Sequence, residues 1–404
     1  MANILGINLN ELGRNELLKK IIAFINDDEQ HYLVTPNPEI ILAAGKDEEL
    51  FYILNKADLA PADGFGLKIA GLLSGFNLPR ITGADLSLEL LKIAQEKKLK
   101  TLILNWNQGL SNKIDLETSL YKKFKDLNFK IIDINRDKLL NPEIIEQINI
   151  FSPILMFNTL GSPYQEKLIY HNLKKLPSVK LALGVGGAFD FISGRSQRAP
   201  KIMRILGIEW LWRLIQQPKR WKRIYNATFI FIGKFFYINL FNYDKYRPSV
   251  ACLLYKNEER QKKILVVLRE DNKQHWQLPQ GGTDGEDLIT AGSRELQEEL
   301  GLSPENIITK KVFKNIYRYK FTANSGKKIY QKNITKRYRY NGYKGQKQGL
   351  YIAEFIGSNN DIKINFWDHT EWKWILADKL VEEVHPVRQA AAKIFLEKFK
   401  SLNL

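Results

Sequence analysis

A chain of 404 residues, 44% of them hydrophobic, is too long for one ordinary compact core and apolar enough for two, so two domains are expected. The single cysteine, Cys252, excludes an internal disulfide, and the absence of a recognisable secretory signal favours a reducing cytoplasm. The formal net charge of +17 favours anionic partners, but does not choose among phosphates, nucleic acid and an anionic membrane surface.

Residues 1–215 alternate helix-like and strand-like runs, which is the pattern of an α/β fold. Amphipathic helices are predicted at 16–26 and 87–97. Short apolar strands are predicted at 31–35, 100–105, 129–134, 153–160 and 179–186. Buried strands separated by helices predict a largely parallel, Rossmann-like sheet covered on both faces, with ligands at the carboxyl ends of the strands.

Three polar clusters follow apolar runs in this region. They are residues 35–40 (TPNPEI), residues 62–66 (ADGFG) with the later 79–86 (PRITGADL), and residues 160–166 (LGSPYQE). Glycine lets the backbone approach a ligand, Thr and Asn supply neutral hydrogen bonds, and an Asp on a tight turn can act as general base toward a sugar hydroxyl. Together they predict a nucleotide-sugar site, although each alone is more typical of a turn.

A basic segment follows, with nine Lys or Arg residues between Arg195 and Arg223 against the single acid Glu209. It continues into residues 227–243, which are aromatic but interrupted by Lys234 and Asn239. Because a membrane-spanning helix needs about 20 apolar residues, this segment is not expected to cross a bilayer. It is expected to lie on a membrane surface, or to pack on the domain with its charges in water.

The pattern changes after residue 247. Residues 250–255 and 264–269 are predicted to be paired strands around a polar turn, followed by a loop and one acidic helix. Residues 334–348, basic and rich in tyrosine, are predicted to form a long loop between strands. We therefore expect an α/β domain at 1–230, an aromatic linker or membrane-contact segment at 231–246, and an α+β domain at 247–404.

Residues 184–200 (GVGGAFDFISGRSQRAP) and 206–223 (LGIEWLWRLIQQPKRWKR) resemble the closing signature of the WecB/TagA/CpsF glycosyltransferase family. That family joins N-acetylmannosamine-type sugars from a UDP donor to a polyprenyl-diphosphate-linked acceptor. The resemblance implies a hexosyltransferase of cell-envelope polysaccharide synthesis that needs no metal, forms a homo-oligomer and contacts the cytoplasmic face of the membrane. The chain departs from the family at 105–112 (NWNQGLSN), where a glycine-rich turn is usual, so the donor preference is left open.

The resemblance also implies roles for individual residues. It makes Asp63 the catalytic base and puts Thr35 and Asn37 near the reacting sugar. The residues implied in the donor or acceptor pocket are Arg80, Gln165, Gly186 and Gly187. The residues implied to grip the lipid diphosphate are Arg213, Arg220 and Arg223.

The second half contains a compact acidic pattern. Residues 288–300 are predicted to form a helix that carries Glu295, Glu298 and Glu299 on one face. Three carboxylates on one face repel one another unless a cation lies among them, and oxygen ligands suit Mg²⁺ or Mn²⁺. Such a cation would bridge diphosphate oxygens and polarise a water for attack on phosphorus.

Residues 276–302 resemble the Nudix box, which implies a metal-dependent pyrophosphohydrolase with an α/β/α sandwich. The resemblance makes Glu298 and Glu299 catalytic, and Glu295, Glu298 and Glu299 metal ligands. The residues implied to support the box are Gly281, Gly282, Glu286 and Arg294. Four residues separate Gly281 from Glu286 where the family has five, so Glu286 is the member that the shorter loop can displace.

Residues 275–282, 345–348, 371–374 and 385–389 resemble the RNA pyrophosphohydrolase and dinucleoside polyphosphate hydrolase group of Nudix enzymes. That group implies a nucleoside polyphosphate or an RNA 5′ end as substrate. The basic and tyrosine side chains of 336–347 are expected to hold polyphosphate and stack a base, or to form a solvated loop. Candidates for a catalytic base outside the box are Asp361, Asp368 and Glu371.

Three functional interpretations remain open. The first is a bifunctional enzyme that uses a UDP-sugar donor and a polyprenyl-diphosphate-linked acceptor in one domain and hydrolyses a nucleoside diphosphate linkage in the other. The second is an RNA-end or dinucleoside polyphosphate pyrophosphohydrolase with the first domain as a scaffold. The third is a Nudix domain that only senses a nucleotide, which the complete set of glutamates disfavours.

Overall fold

The computed structural model describes residues 1–137, 140–200, 202–203, 208–216, 218, 221–241, 245–259, 261–270, 274–320, 343, 345–366 and 368–402. The chain divides into two compact units, Met1–Leu240 and Phe241–Leu404.

The first unit begins with a small antiparallel pair, β1 (Ala2–Ile4) and β2 (Ile7–Leu9). Its main sheet has five strands, which in chain order are β3 (His31–Leu33), β4 (Thr101–Trp106), β5 (Phe129–Ile134), β6 (Leu155–Asn158) and β7 (Leu181–Gly184). Their spatial order is β3-β7-β6-β4-β5, and every pair is parallel. The predicted parallel sheet is therefore confirmed.

Twelve α-helices are described in this unit. They are α1 (Arg14–Asn26), α2 (Pro38–Ala44), α3 (Glu48–Lys56), α4 (Phe65–Leu73), α5 (Gly83–Glu96), α6 (Lys113–Lys123), α7 (Pro142–Phe151), α8 (Tyr164–Asn172), α9 (Ala188–Ile192), α10 (Glu209–Gln216), α11 (Trp221–Tyr225) and α12 (Phe231–Phe241). Short side chains cap several N-termini; for example, Thr82 Oγ1 accepts the N–H of Asp85 at the start of α5.

Alternate residues of β4 point to opposite cores. Ile103 packs with Leu90 of α5 on one face, whereas Leu102 and Leu104 pack with Ile148 of α7 on the other. The sheet is therefore covered on both faces, as the run of apolar residues in its strands predicts.

A third core extends the unit beyond its sheet. Phe231 and Phe235 of α12 are buried against β1, α2 and α4. The opposite side of α12 exposes Ile232, Phe236 and Tyr237. Much of the segment predicted as a linker or membrane contact is thus a helix with one face packed in the first unit. Within the described ranges, no helix is long and apolar enough to cross a membrane.

The second unit is built on a seven-stranded mixed sheet. Its strands are β8 (Arg247–Glu258), β9 (Gln261–Arg269), β10 (Trp276–Gln277), β11 (Gln280–Gly282), β12 (Ile307–Lys320), β13 (Gly345–Phe355) and β14 (His369–Leu376). β8 runs parallel to β13, and the other pairs are antiparallel. The predicted hairpin of β8 and β9 is confirmed.

Helices cover both faces of this sheet. They are α13 (Leu288–Leu300), α14 (Leu380–Glu383) and α15 (Pro386–Lys400). α13 packs Leu296 against one face, and α15 packs Phe395 against the other. The expected α/β/α sandwich is therefore confirmed.

One loop prediction is wrong at its end. Residues 345–348 belong to β13, because they pair with β8 on one side and with β12 on the other. Ladder hydrogen bonds on both sides hold this polar stretch extended, which its composition did not indicate. Residues 334–342 and 344, and with them most of the predicted base-stacking loop, lie outside the described residues.

Candidate active sites

Two predicted site residues, Thr35 and Asp63, lie near each other at the carboxyl ends of β3 and β7. Thr35 follows β3, is buried, and its Oγ1 donates to the carbonyl oxygen of Gly184 at 3.4 Å. The N–H of Asp63 donates to the carbonyl of Pro36 at 2.8 Å, which joins the Asp63 loop to the same edge of the sheet.

The Asp63 side chain lies at the beginning of α5. Its Oδ2 accepts the backbone N–H of Gly83 at 3.1 Å. A Cβ on Gly83 would stand 3.3 Å from Thr35 Oγ1 and 3.9 Å from Asp63 Oδ2, so these three residues form one group. Gly64, at φ +113°, makes the turn that follows Asp63. The half-buried Asp63 thus accepts a hydrogen bond at the beginning of α5 and also lies beside Thr35.

Asn37 has a structural use that its motif did not reveal. Its Oδ1 accepts the N–H of Ile40 at 2.9 Å and caps α2. This cap leaves the Nδ2 group and the second lone pair of Oδ1 for any contact of Asn37 with a sugar.

Gln165 and the glycine turn after β7 are bound to each other. Gln165 Oε1 accepts the N–H of Gly186 at 2.8 Å, and its Nε2 donates to Glu166 Oε1 at 2.8 Å. Gly186 has φ +49°, and Gly187 follows it as the N-cap of α9. Gln165 is only 3% exposed. Because its buried amide is bonded to the Gly186 N–H, Gln165 shapes this turn.

Two arginine–carboxylate pairs lie at the beginning of α5, one just before the helix and one in its first turn. Arg80 Nη2 lies 2.6 Å from Glu209 Oε2, and Arg198 pairs with Asp85. Arg213 and Arg223 lie on α10 and α11, and their side chains are outside the described part of the chain, as is the whole of Arg220.

Trp106 and Tyr164 lie on either side of the switch point between β4 and β6, and Arg136 lies against both rings. The sequence does not predict this cluster. The guanidinium of Arg136 stacks 3.4 Å from the centroid of the Trp106 ring, and Tyr164 lies 5.1 Å from it. Arg136 Nε donates to the carbonyl of Leu160 at 2.8 Å. Parallel sheets bind ligands at such points. The departure of residues 105–112 from the family pattern was the available signal.

The acidic helix of the second unit has the predicted bounds. Asp287 caps its beginning through the N–H groups of Ile289 and Thr290, and Gly301, at φ +68°, ends it. Glu295 and Glu299 are buried, whereas Glu298 is exposed.

Arg294 gathers the carboxylates of the box. Its guanidinium lies 2.9 Å from Glu286, 2.8 Å from Glu295 and 3.2 Å from Glu298, and donates to the carbonyl of Gly282 at 2.7 Å. Despite the shorter loop, Glu286 therefore reaches Arg294. The pKa of Arg294 is raised by these carboxylates against the lowering effect of its burial.

The donor set of this helix fits a hard divalent cation. Glu286, Glu295 and Glu298 gather around the positive charge of Arg294. The Glu295 carboxylate fills the space that a Cβ on Gly281 would occupy, and the buried Glu299 follows one helical turn after Glu295. As the side chains are arranged, the described residues contain no group of three acidic, His or Cys side chains placed to hold a metal. Holding a cation would therefore require these carboxylates to rearrange.

His369 is a contact of Glu299 that the sequence does not predict. His369 Nδ1 lies 3.6 Å from Glu299 Oε2. Burial lowers the pKa of His369 to about 3, helped by the charges of Arg269 and His275, so the imidazole is neutral. Its place at the beginning of β14, beside the candidate Asp368, was the only hint in the sequence.

The three predicted base candidates have different surroundings. The buried Asp368 lies 3.0 Å from Arg269, and Asp361 accepts the N–H of Ser358 at 2.7 Å in a turn. Glu371 is exposed on β14.

Arg247 also borders the box, although its place in the sequence predicts only a domain boundary. A Cβ on Gly282 would stand 2.1 Å from its Nη2, so the guanidinium lies directly on that glycine. Gln348 Nε2 donates to Gln280 Oε1 at 3.0 Å across the same strands. A guanidinium beside a glycine turn is suited to a phosphate.

Comparison with known proteins covers both units. The model of the glycosyl transferase WecG/TagA/CpsF family matches residues 2–245, and the NUDIX domain model matches residues 245–397. Residues of the first unit are 35% identical to N-acetylglucosaminyldiphosphoundecaprenol N-acetyl-beta-D-mannosaminyltransferase of Bacillus subtilis, over 50% of this chain and 82% of that protein. The enzyme of the same name from Staphylococcus aureus strain MRSA252 is 29% identical, over 55% of this chain and 86% of that protein.

The second unit has its own relatives. It is 36% identical to the RNA pyrophosphohydrolase of Wolbachia sp. subsp. Brugia malayi, over 39% of this chain and 92% of that protein. The chain therefore belongs to the WecG/TagA/CpsF glycosyltransferase family and is an enzyme that also carries a Nudix pyrophosphohydrolase domain.

Proposed function

We propose that the first domain transfers N-acetylmannosamine, or a related sugar, from a UDP donor to a polyprenyl-diphosphate-linked sugar. The observation that carries the proposal is the grouping of Asp63, Thr35 and Gly83 at the carboxyl edge of a parallel sheet. The names of the Bacillus and Staphylococcus relatives supply the sugar and the acceptor class.

In this reaction Asp63 is the general base. Its carboxylate takes the proton of the acceptor hydroxyl as that oxygen bonds to the anomeric carbon of the donor sugar. The bond from that carbon to UDP breaks, and UDP leaves with the electron pair. Thr35 orients the sugar, and the turn at Gly186 and Gly187 holds the donor diphosphate. No metal is assigned to this domain.

The donor base has a candidate platform in Trp106 and Arg136. The stacked guanidinium leaves a flat, charged surface at the switch point of the sheet, which suits a nucleotide. Arg80 completes the pocket from the side of α5.

The lipid end of the acceptor is assigned to Arg213, Arg220 and Arg223, as the family resemblance implies. The exposed Ile232, Phe236 and Tyr237 of α12 would lie in the headgroup region. Action at the cytoplasmic face of the membrane, as a peripheral homo-oligomer, is part of the proposal.

The second domain is proposed to hydrolyse a phosphoanhydride with Mg²⁺ or Mn²⁺ held by Glu295, Glu298 and Glu299. Bound there, the cation would neutralise phosphate oxygens and make a water more acidic. Arg294 holds the glutamates in place, and Arg247 binds a phosphate of the substrate. The water oxygen bonds to phosphorus and the water gives up a proton to the surrounding solvent. The anhydride bond breaks, and the leaving phosphate carries away the electron pair.

The substrate that we propose for this domain is an RNA 5′ end, because the Wolbachia relative is named an RNA pyrophosphohydrolase. A nucleoside polyphosphate is the alternative. Should the chain show only this second activity, the first domain would be a scaffold.

The test supplies the purified chain with UDP-N-acetylmannosamine or UDP-N-acetylglucosamine and a short-chain polyprenyl-diphosphate-N-acetylglucosamine. Mass spectrometry should show the acceptor gaining one sugar from the first donor only. In parallel, ³¹P NMR with Mg²⁺ should show faster cleavage of 5′-triphosphorylated RNA than of a dinucleoside tetraphosphate. No transfer from either donor would refute the proposed transferase.

A further inference from the structure

Glu166 is a buried acid that neither proposed reaction uses. It is 1% exposed, follows Gln165 on α8, and accepts the Gln165 Nε2–H at its Oε1. Burying an acid costs free energy, so we expect a buried acid beside a site residue to have a function.

The hydrogen bonds of Gln165 depend on which way its amide points. Oε1 must face the Gly186 N–H, because the opposite orientation would set one N–H donor against another. In the correct orientation Nε2 faces Glu166, which supplies the acceptor that the amide needs. Glu166 therefore selects the orientation that ties Gln165 to Gly186.

Gly184 further limits the orientations that the Gln165 amide can adopt. A Cβ on Gly184 would stand 2.7 Å from Gln165 Cδ, so the amide lies flat against the end of β7. Held from both sides, Gln165 fixes the turn at Gly186.

We propose that Glu166 is a positioning residue of the donor site, which holds the Gln165 amide on Gly186 and so sets the shape of the turn that receives the donor diphosphate. This inference rests on the proposed function for its ligand. Burial raises the pKa of Glu166 despite the hydrogen bond from Gln165. A glutamine at this position would keep the side-chain carbonyl oxygen that accepts from Gln165 Nε2.

The test compares Glu166→Ala and Glu166→Gln in the full chain, with Leu168→Ala as the control. Leu168 is equally buried on α8 and packs in the core. Val185-Gly186 is the only Val–Gly pair in the sequence, so ¹³C-carbonyl valine and ¹⁵N-glycine labelling isolates the Gly186 amide signal. The affinity for UDP is measured by calorimetry on the same samples.

Glu166→Ala should shift the Gly186 signal and weaken UDP binding about tenfold, equivalent to ~1.4 kcal/mol. Glu166→Gln should preserve both, and Leu168→Ala should lower the melting temperature while leaving both unchanged. An unshifted Gly186 signal in Glu166→Ala, or equal damage from Glu166→Gln, would overturn the inference. If the wild-type chain transfers no sugar, the proposed function fails, but the Gly186 signal still decides the role of Glu166.

Discussion

The carboxylate of Glu295 lies against the Cα of Gly281, where a Cβ would stand 2.1 Å from Glu295 Cδ. The end of a flexible side chain can move away, so Gly281→Ala should displace Glu295 with little loss of stability. A displacement of about 1 Å costs roughly 100-fold in rate, so phosphoanhydride hydrolysis should fall by that factor. Kinetics of RNA 5′-end cleavage measures it, and Gly233→Ala, at a glycine with open space around it, is the control. Unchanged hydrolysis in Gly281→Ala would show that Glu295 is not needed at this place.

Arg294 gathers Glu286, Glu295 and Glu298 with one planar guanidinium. A lysine ammonium is a point charge and does not reproduce this set of contacts. We expect Arg294→Lys to lower kcat for hydrolysis by about 10- to 100-fold, as loss of a residue that orients metal ligands commonly does. The apparent Mg²⁺ affinity should fall with it in a metal titration. Wild-type kcat in this variant would mean that the helix alone positions its glutamates.

Glu166→Gln should stabilise the first domain at neutral pH. The raised pKa of Glu166 means that its contribution to stability is full below the unfolded value and is lost as pH rises toward the folded value. Glutamine does not titrate, so the melting temperature of the variant should exceed that of the wild type at pH 7 and above. Below about pH 4.5 the two should converge. Calorimetry between pH 4 and pH 8 follows the difference, and a constant offset would mean that Glu166 does not titrate differently in the folded chain.

Glu209→Gln should weaken the first domain and its donor pocket together. Arg80 Nη2 lies 2.6 Å from Glu209 Oε2, in partly buried surroundings. A hydrogen bond between charged groups contributes about 1.5–3 kcal/mol, so the first-domain transition should move down by several degrees. The KM for the UDP-sugar should rise if Arg80 lines the pocket. Glu143→Gln, at an exposed glutamate of α7, serves as the control and should change neither quantity. A lower melting temperature with unchanged KM would limit Arg80 to a structural role.

The parts that the sequence predicts well are those with local signals. The bounds of α13 follow from Asp287 and Gly301, a cap at each end, and the strands of the parallel sheet follow from their apolar runs. Glu295, Glu298 and Glu299 share a face because of helix periodicity alone.

The parts that the sequence does not predict depend on distant segments meeting. Arg80 and Glu209 are 129 residues apart, and His369 reaches Glu299 only through the register of β14 with β9. The motif predicts that Asn37 contacts a sugar, whereas the structure uses its Oδ1 to cap α2, because the same side chain suits both uses. The polarity of residues 345–348 predicts a loop and does not indicate that they pair with strands on both sides.

The central claim is that one chain contains two independent active sites, one dependent on Asp63 and the other on Glu298. It is tested most directly by measuring sugar transfer and phosphoanhydride hydrolysis on the same preparations of wild type, Asp63→Asn and Glu298→Gln. Asp126→Asn and Glu397→Gln, at exposed acids outside both sites, are the matched controls. Asp63→Asn should reduce transfer by about 100-fold or more and leave hydrolysis unchanged, since loss of a general base costs at least that much. Glu298→Gln should do the reverse. Transfer that survives in Asp63→Asn, or one substitution that abolishes both reactions, would contradict the account.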